Sequence, residues 1–132
     1  MAQRETEIMP VGTQLTSMQL VIHKADETKA EAVEAIFASG ESQLLSTATD
    51  WTLEITQGLW PQLPSWCWPP ESWEFQKVGT IGTPGFDEVL ECSRTYNEVG
   101  ELVGLSIRFA GGTFTIRSGA HITCQLTRHT SQ

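Results

Sequence analysis

Cysteine, histidine and long apolar runs are all scarce in this chain of 132 residues, and no acid follows Glu101. Each shortage removes a class of protein. Cys67, Cys92 and Cys124 are odd in number and irregularly spaced, so they suit neither a disulfide framework nor the paired Cys-x-x-Cys ligands of a zinc site, and buried free thiols are expected. No window reaches the roughly 18 consecutive apolar residues of a membrane span. The opening MAQRETEIMP carries Glu5 and Glu7 where a secretory signal would be basic and then apolar. A cytoplasmic location without membrane attachment is therefore the default expectation.

The chemistry that usually announces itself in sequence is missing too. No glycine-rich loop opens a helix as a phosphate cradle would. His23, His121 and His129 stand in no H-E-x-x-H pattern and near no cysteine at ligand spacing, so neither a metal nor a cofactor is expected. Ser118-Gly-Ala-His121 lacks the G-x-S-x-G elbow of a serine hydrolase. Acid pairs such as Asp87 with Glu88, or Glu71 with Glu74, are what sixteen acids produce by chance. No catalytic residue is assigned.

What is present is unevenly distributed. Residues 1–101 carry a net charge of −11 and residues 102–132 a net of +3, within a total of −8. An acidic body argues against nucleic acid, which is bound by neutralising phosphate with Lys and Arg. It fits a basic protein partner, where opposite potentials speed encounter, although net charge also serves solubility alone.

Residues 1–17 are polar and without period, which predicts a flexible arm before a single domain over 18–132. MQLVIHKA from Met18 reads as a strand. In ADETKAEAVEAIFASG, Thr28 and Glu31 fit a capping box, Ala30, Val33, Ile36 and Phe37 form a stripe at spacings of three and four, and Gly40 ends the pattern. That spacing predicts the one main helix, near residues 28–39. Afterwards the period becomes two: Trp51, Leu53 and Ile55 alternate with polar residues, as do Trp73 and Phe75, and then Ile122, Cys124 and Leu126. Gly111 and Gly112 suggest a hairpin turn that pairs Phe109 with Phe114 and Ile107 with Ile116. The expected fold class is α+β: a mostly antiparallel, twisted sheet of about five to seven strands with one helix. A small β-barrel with a helix at its mouth is the alternative.

One segment stands apart. Residues 59–75, LWPQLPSWCWPPESWEF, hold four of the five tryptophans and four of the six prolines. Proline excludes a central strand or a helix interior, so an ordered loop is expected. Trp60 and Trp73 are read as sealing the fold. Trp66 and Trp68, held near prolines at a loop tip, are read with Glu71 and Glu74 as a surface for a partner, since aromatic rings dominate binding hot spots. The expected function is a non-enzymatic intracellular protein-binding module. In size, acidity and lack of catalytic signature it resembles the inhibitor or immunity proteins that neutralise toxins. Two alternatives stand beside it: a small-ligand-binding domain or cofactor-free enzyme with a Trp-lined apolar pocket, and a structural or assembly subunit that pairs with copies of itself through exposed strands.

Overall fold

The computed structural model describes residues 11–78 and 88–128. Over these residues the chain forms strands β1 (Leu15–His23), β2 (Asp26–Phe37), β3 (Ser42–Thr47), β4 (Leu53–Gln57), β5 (Trp73–Lys77), β6 (Glu91–Tyr96), β7 (Leu102–Phe109), β8 (Gly112–Arg117) and β9 (Thr123–Arg128). Two antiparallel sheets result, ordered β4-β3-β2-β1-β5 and β6-β7-β8-β9. Isolated bridges join Gln14 to Glu88 and Ala30 to Ile122.

The expected α+β class is therefore corrected, and so is the barrel with a helix at its mouth. The segment expected as a helix near residues 28–39 is mostly β2, the middle strand of its sheet. The only helical turn among the described residues is the 3-10 turn Pro70–Ser72. Burial on both faces explains the misreading. Ala32, Val33, Glu34, Ala35 and Ile36 are all buried, so β2 lacks the apolar-polar alternation of a half-exposed strand, and alanine with glutamate imitates a helical stripe. The capping box expected at Thr28 and Glu31 does not form, since both lie in β2, and Thr28 donates from N and Oγ1 to Asp26 Oδ1 beside the turn that joins β1 to β2. Gly40 ends β2 as a turn residue with φ of +97°.

The two sheets share one core. Met18, Ile22, Val33, Ala35, Leu45 and Leu53 of the first meet Leu105, Ile107, Phe109, Phe114 and Ile116 of the second. The hairpin between β7 and β8 turns at Ala110 and Gly111, one residue earlier than the sequence suggests. Ile107 pairs with Phe114 and Leu105 with Ile116. Such a slip moves each partner by two positions and so keeps every side chain on its face, which is why alternation alone could not detect it. Trp51, expected in a strand, sits instead in the turn before β4. Of the arm expected over residues 1–17, residues 1–10 lie outside the described residues, and Leu15 to Ser17 already belong to β1. Phe86, Asp87 and His129 also lie outside the described residues.

The outer faces of the two sheets differ. On the second, the row Ser93, Ser106, Thr115 and Gln125 runs across all four strands, beside Glu91, Arg108, Thr113 and Thr127. On the first, Val21, Ala32 and Leu44 lie beneath Leu63 and Cys67 from the Trp-Pro segment, with Trp73 and Phe75 at the side.

Candidate functional site

The Trp-Pro segment is a strap. Strands β4 and β5 are the two opposite edges of the first sheet, so residues 58–72 must cross its outer face to join them. The crossing spans four strand spacings, roughly 19 Å at about 4.8 Å each. Three tight turns fold it: Gln62 N donates to Leu59 O, Cys67 N to Pro64 O, and Ser72 N to Pro69 O. The peptide bonds Trp60–Pro61 and Trp68–Pro69 are cis. At its ends, Gly58 N donates to Ser42 O and Lys24 N donates to Ser72 O.

Glu34 fixes the first half of the strap. Its side chain is fully buried, and its Oε2 accepts from Ser42 Oγ at 2.6 Å and from Trp60 N at 3.1 Å. Oε1 has no hydrogen-bond partner. Burial pushes the carboxyl above its ordinary range, against the opposing donors from Ser42, Trp60 and Leu59. Gly58 passes so close that a Cβ there would overlap Glu34 Oε2 and Ser42 Oγ.

The second half is held by packing. Pro64 and Cys67 are buried. Trp60 meets Phe75 edge-on at 4.8 Å, and Trp66 meets Trp73 at 5.5 Å, with His23 on another side of Trp73 at 5.0 Å. Burial, followed by the charge of Glu31, raises the Cys67 thiol to about 11, so Cys67 is a packing residue and not a nucleophile.

Against this frame the expected surface divides. Trp66 is 45 % and Trp68 78 % exposed, while Trp60 and Trp73 are half-buried. Glu71 is exposed in the Pro70–Ser72 turn. Glu74 is not beside them: it pairs with Ile22, whose side chain enters the core between the sheets, so it lies on the opposite face from Trp73 and Phe75.

Beside Trp66 stand residues to which the sequence assigns no binding role. An open groove of about 520 Å³ is lined by Glu31, Ser46, Thr47, Thr49, Glu54 and Trp66. Glu31 reaches it because it is the extra residue of a bulge: Val21 pairs with Ala32 but Ile22 with Ala30. Glu31 also borders a smaller concavity of about 170 Å³ with Trp51 and His121. There His121 Nδ1 lies 3.7 Å from Glu31 Oε2, an ion pair when the imidazole is protonated. Trp51 has a φ of +69° and is 61 % exposed. Its carbonyl accepts from Ser118 Oγ at 2.7 Å. Only the folded register brings Glu31, Trp51 and His121 together.

Among the described residues no three His, Cys, Asp or Glu side chains gather as a metal site, and no helix is long and apolar enough to cross a membrane. Compared with protein-family models, curated proteins and solved structures, the chain matches none.

Proposed function

We propose that the protein is a non-enzymatic binding module that presents the strap and its neighbouring groove to a basic protein partner, as an inhibitor or immunity protein would. One observation carries this reading. The strap turns two indoles outward from a proline-stiffened segment tethered at both ends, and carboxylates Glu31 and Glu54 line the groove beside Trp66. A pre-ordered aromatic surface loses little entropy on binding. An indole next to carboxylates favours Lys or Arg by cation–π and charge attraction together.

The probe is a Lys/Arg-rich peptide titrated while indole fluorescence is followed, with a Glu-rich peptide as control. Binding of the basic peptide should weaken as salt rises from about 0.05 to 0.5 M, because the Debye length falls to a few ångströms. Replacing Trp66 and Trp68 together by Ala should remove about 2–4 kcal/mol of binding, while Trp68→Ala alone, which leaves the Trp66–Trp73 contact intact, should weaken binding and leave the melting temperature in place. Equal binding by the double variant, or equal binding of the acidic control, overturns the reading.

A second reading, a small-ligand site between Glu31 and His121, is favoured by the backbone of Trp51. A large side chain at positive φ costs about 1 kcal/mol or more, and such strain gathers at functional sites. Trp51→Gly should then raise the unfolding midpoint while abolishing the thermal shift given by a small-molecule ligand, as should His121→Ala for the shift alone. A small-molecule screen that yields no stabilising ligand counts against it.

A further inference from the structure

The strap is bound to the sheet by a group that can change its charge. Glu34 is 0 % exposed, one of its oxygens has no partner, and its other oxygen accepts from Trp60 N of the strap and Ser42 Oγ of β3. We propose that the strap is a lid gated by the proton on Glu34: it lies closed while the carboxyl is neutral and lifts, carrying Cys67 with it, when the carboxyl ionises. Glu34 lies within the middle strand of its sheet, fully buried, and cannot reach water by its own movement. Among the described residues the strap is the element over it that is not held in the sheet's hydrogen-bond ladder, so hydrating a buried carboxylate means moving the strap.

The groups that face Glu34 cannot supply a counter-charge. In register across its face stand Gln19 of β1 and Leu44 of β3, with Ser42 alongside, and above it pass the backbones of Leu59 and Trp60. The nearest cation in that row is Lys77 of β5, beyond Gln19, roughly 10 Å away at two strand spacings and exposed to solvent. Glu31 and Glu54 border the strap further along and are acids, so they oppose a second negative charge. Cys67, on the inner side of the strap itself, is the other titratable group there, and its thiol stays protonated in the range concerned.

The direction follows from proton linkage. The closed form holds the Glu34 proton more tightly than the open form, in which the carboxyl returns to its ordinary range. Closure is therefore complete below that range and weakens as pH rises through the interval up to the raised value. The closed-to-open ratio falls by at most about tenfold per pH unit for one proton.

Cys67 reports on the lid because it is the lid's own buried residue, packed against the sheet and 3 % exposed. The experiment labels the whole protein with a thiol reagent between about pH 5 and 8 and follows Cys67 by peptide mapping, each rate divided by that of an unfolded Cys67 peptide at the same pH to remove thiolate chemistry. The corrected rate should climb with pH, by up to about tenfold per unit at its steepest. It should be insensitive to low denaturant, as local opening is. Glu34→Gln should flatten the profile. A flat profile in the parent protein, or labelling that follows global unfolding in its denaturant dependence, overturns the proposal without requiring that variant to fold.

Discussion

Among the described residues, the five-stranded sheet is covered on both faces and the four-stranded sheet on one. β8 shows the second condition: Phe114 and Ile116 point into the core, while Thr113 and Thr115 stand on a face of hydroxyls. β2 shows the first: Val33 meets the other sheet and Ala32 meets the strap. A strand that buries both faces can lose its period-two signature, and β2 is the described strand that sequence periodicity read as something else. Cover on both sides also means that a carboxyl placed there, as Glu34 is, has no solvent side to turn to.

The largest test of this contrast is Phe114→Ala, which removes a ring shared by both sheets and should lower unfolding free energy by about 3–5 kcal/mol in denaturant titration. Loss of either sheet alone, seen as two separate transitions, would mean that the core is not common to them. Next come Val33→Ala beneath the second sheet and Val21→Ala beneath the strap. Both residues are 0 % exposed, and each substitution should cost about 1.5–3 kcal/mol from lost burial and residual cavity. A much smaller value for Val21 would reduce the strap from a true second cover to a loosely draped loop. Gly58→Ala should cost about 1–3 kcal/mol through overlap with Glu34 and Ser42. Thr115→Ala, on the hydroxyl face, should change stability by no more than about 0.5 kcal/mol.

These differences also account for what could be read from sequence. The alternation of β5, β8 and β9 was legible because one face of each is polar at regular intervals, and the last strand falls where Ile122, Cys124 and Leu126 placed it, at Thr123–Arg128. The ordered Trp-Pro loop was legible from proline alone. Its course was not, since nothing local says that β4 and β5 are opposite edges of one sheet. Glu34 falls outside the stripe of Ala30, Val33, Ile36 and Phe37 on the expected helix, yet it is buried, because its environment is set by Leu44, Gln19 and the strap, each distant in sequence. Glu31, Trp51 and His121 carried no sign of a shared site for the same reason. The bulge and the turn that bring them together are properties of pairing.

The strap also sets the order in which the first sheet can assemble. β1 to β4 are consecutive antiparallel strands joined by short turns, so their pairings close small loops. β5 pairs with β1 instead, Phe75 opposite Val21, and that contact closes a loop of more than fifty residues. Loop closure of this length opposes early formation and slows folding. The meander β1-β2-β3-β4 is then the nucleus on which the strap is laid, and β5 is the last strand to add to this sheet. Mutations at Val33 and Leu45 should slow folding, whereas mutation of Phe75 should leave the folding rate nearly unchanged and speed unfolding.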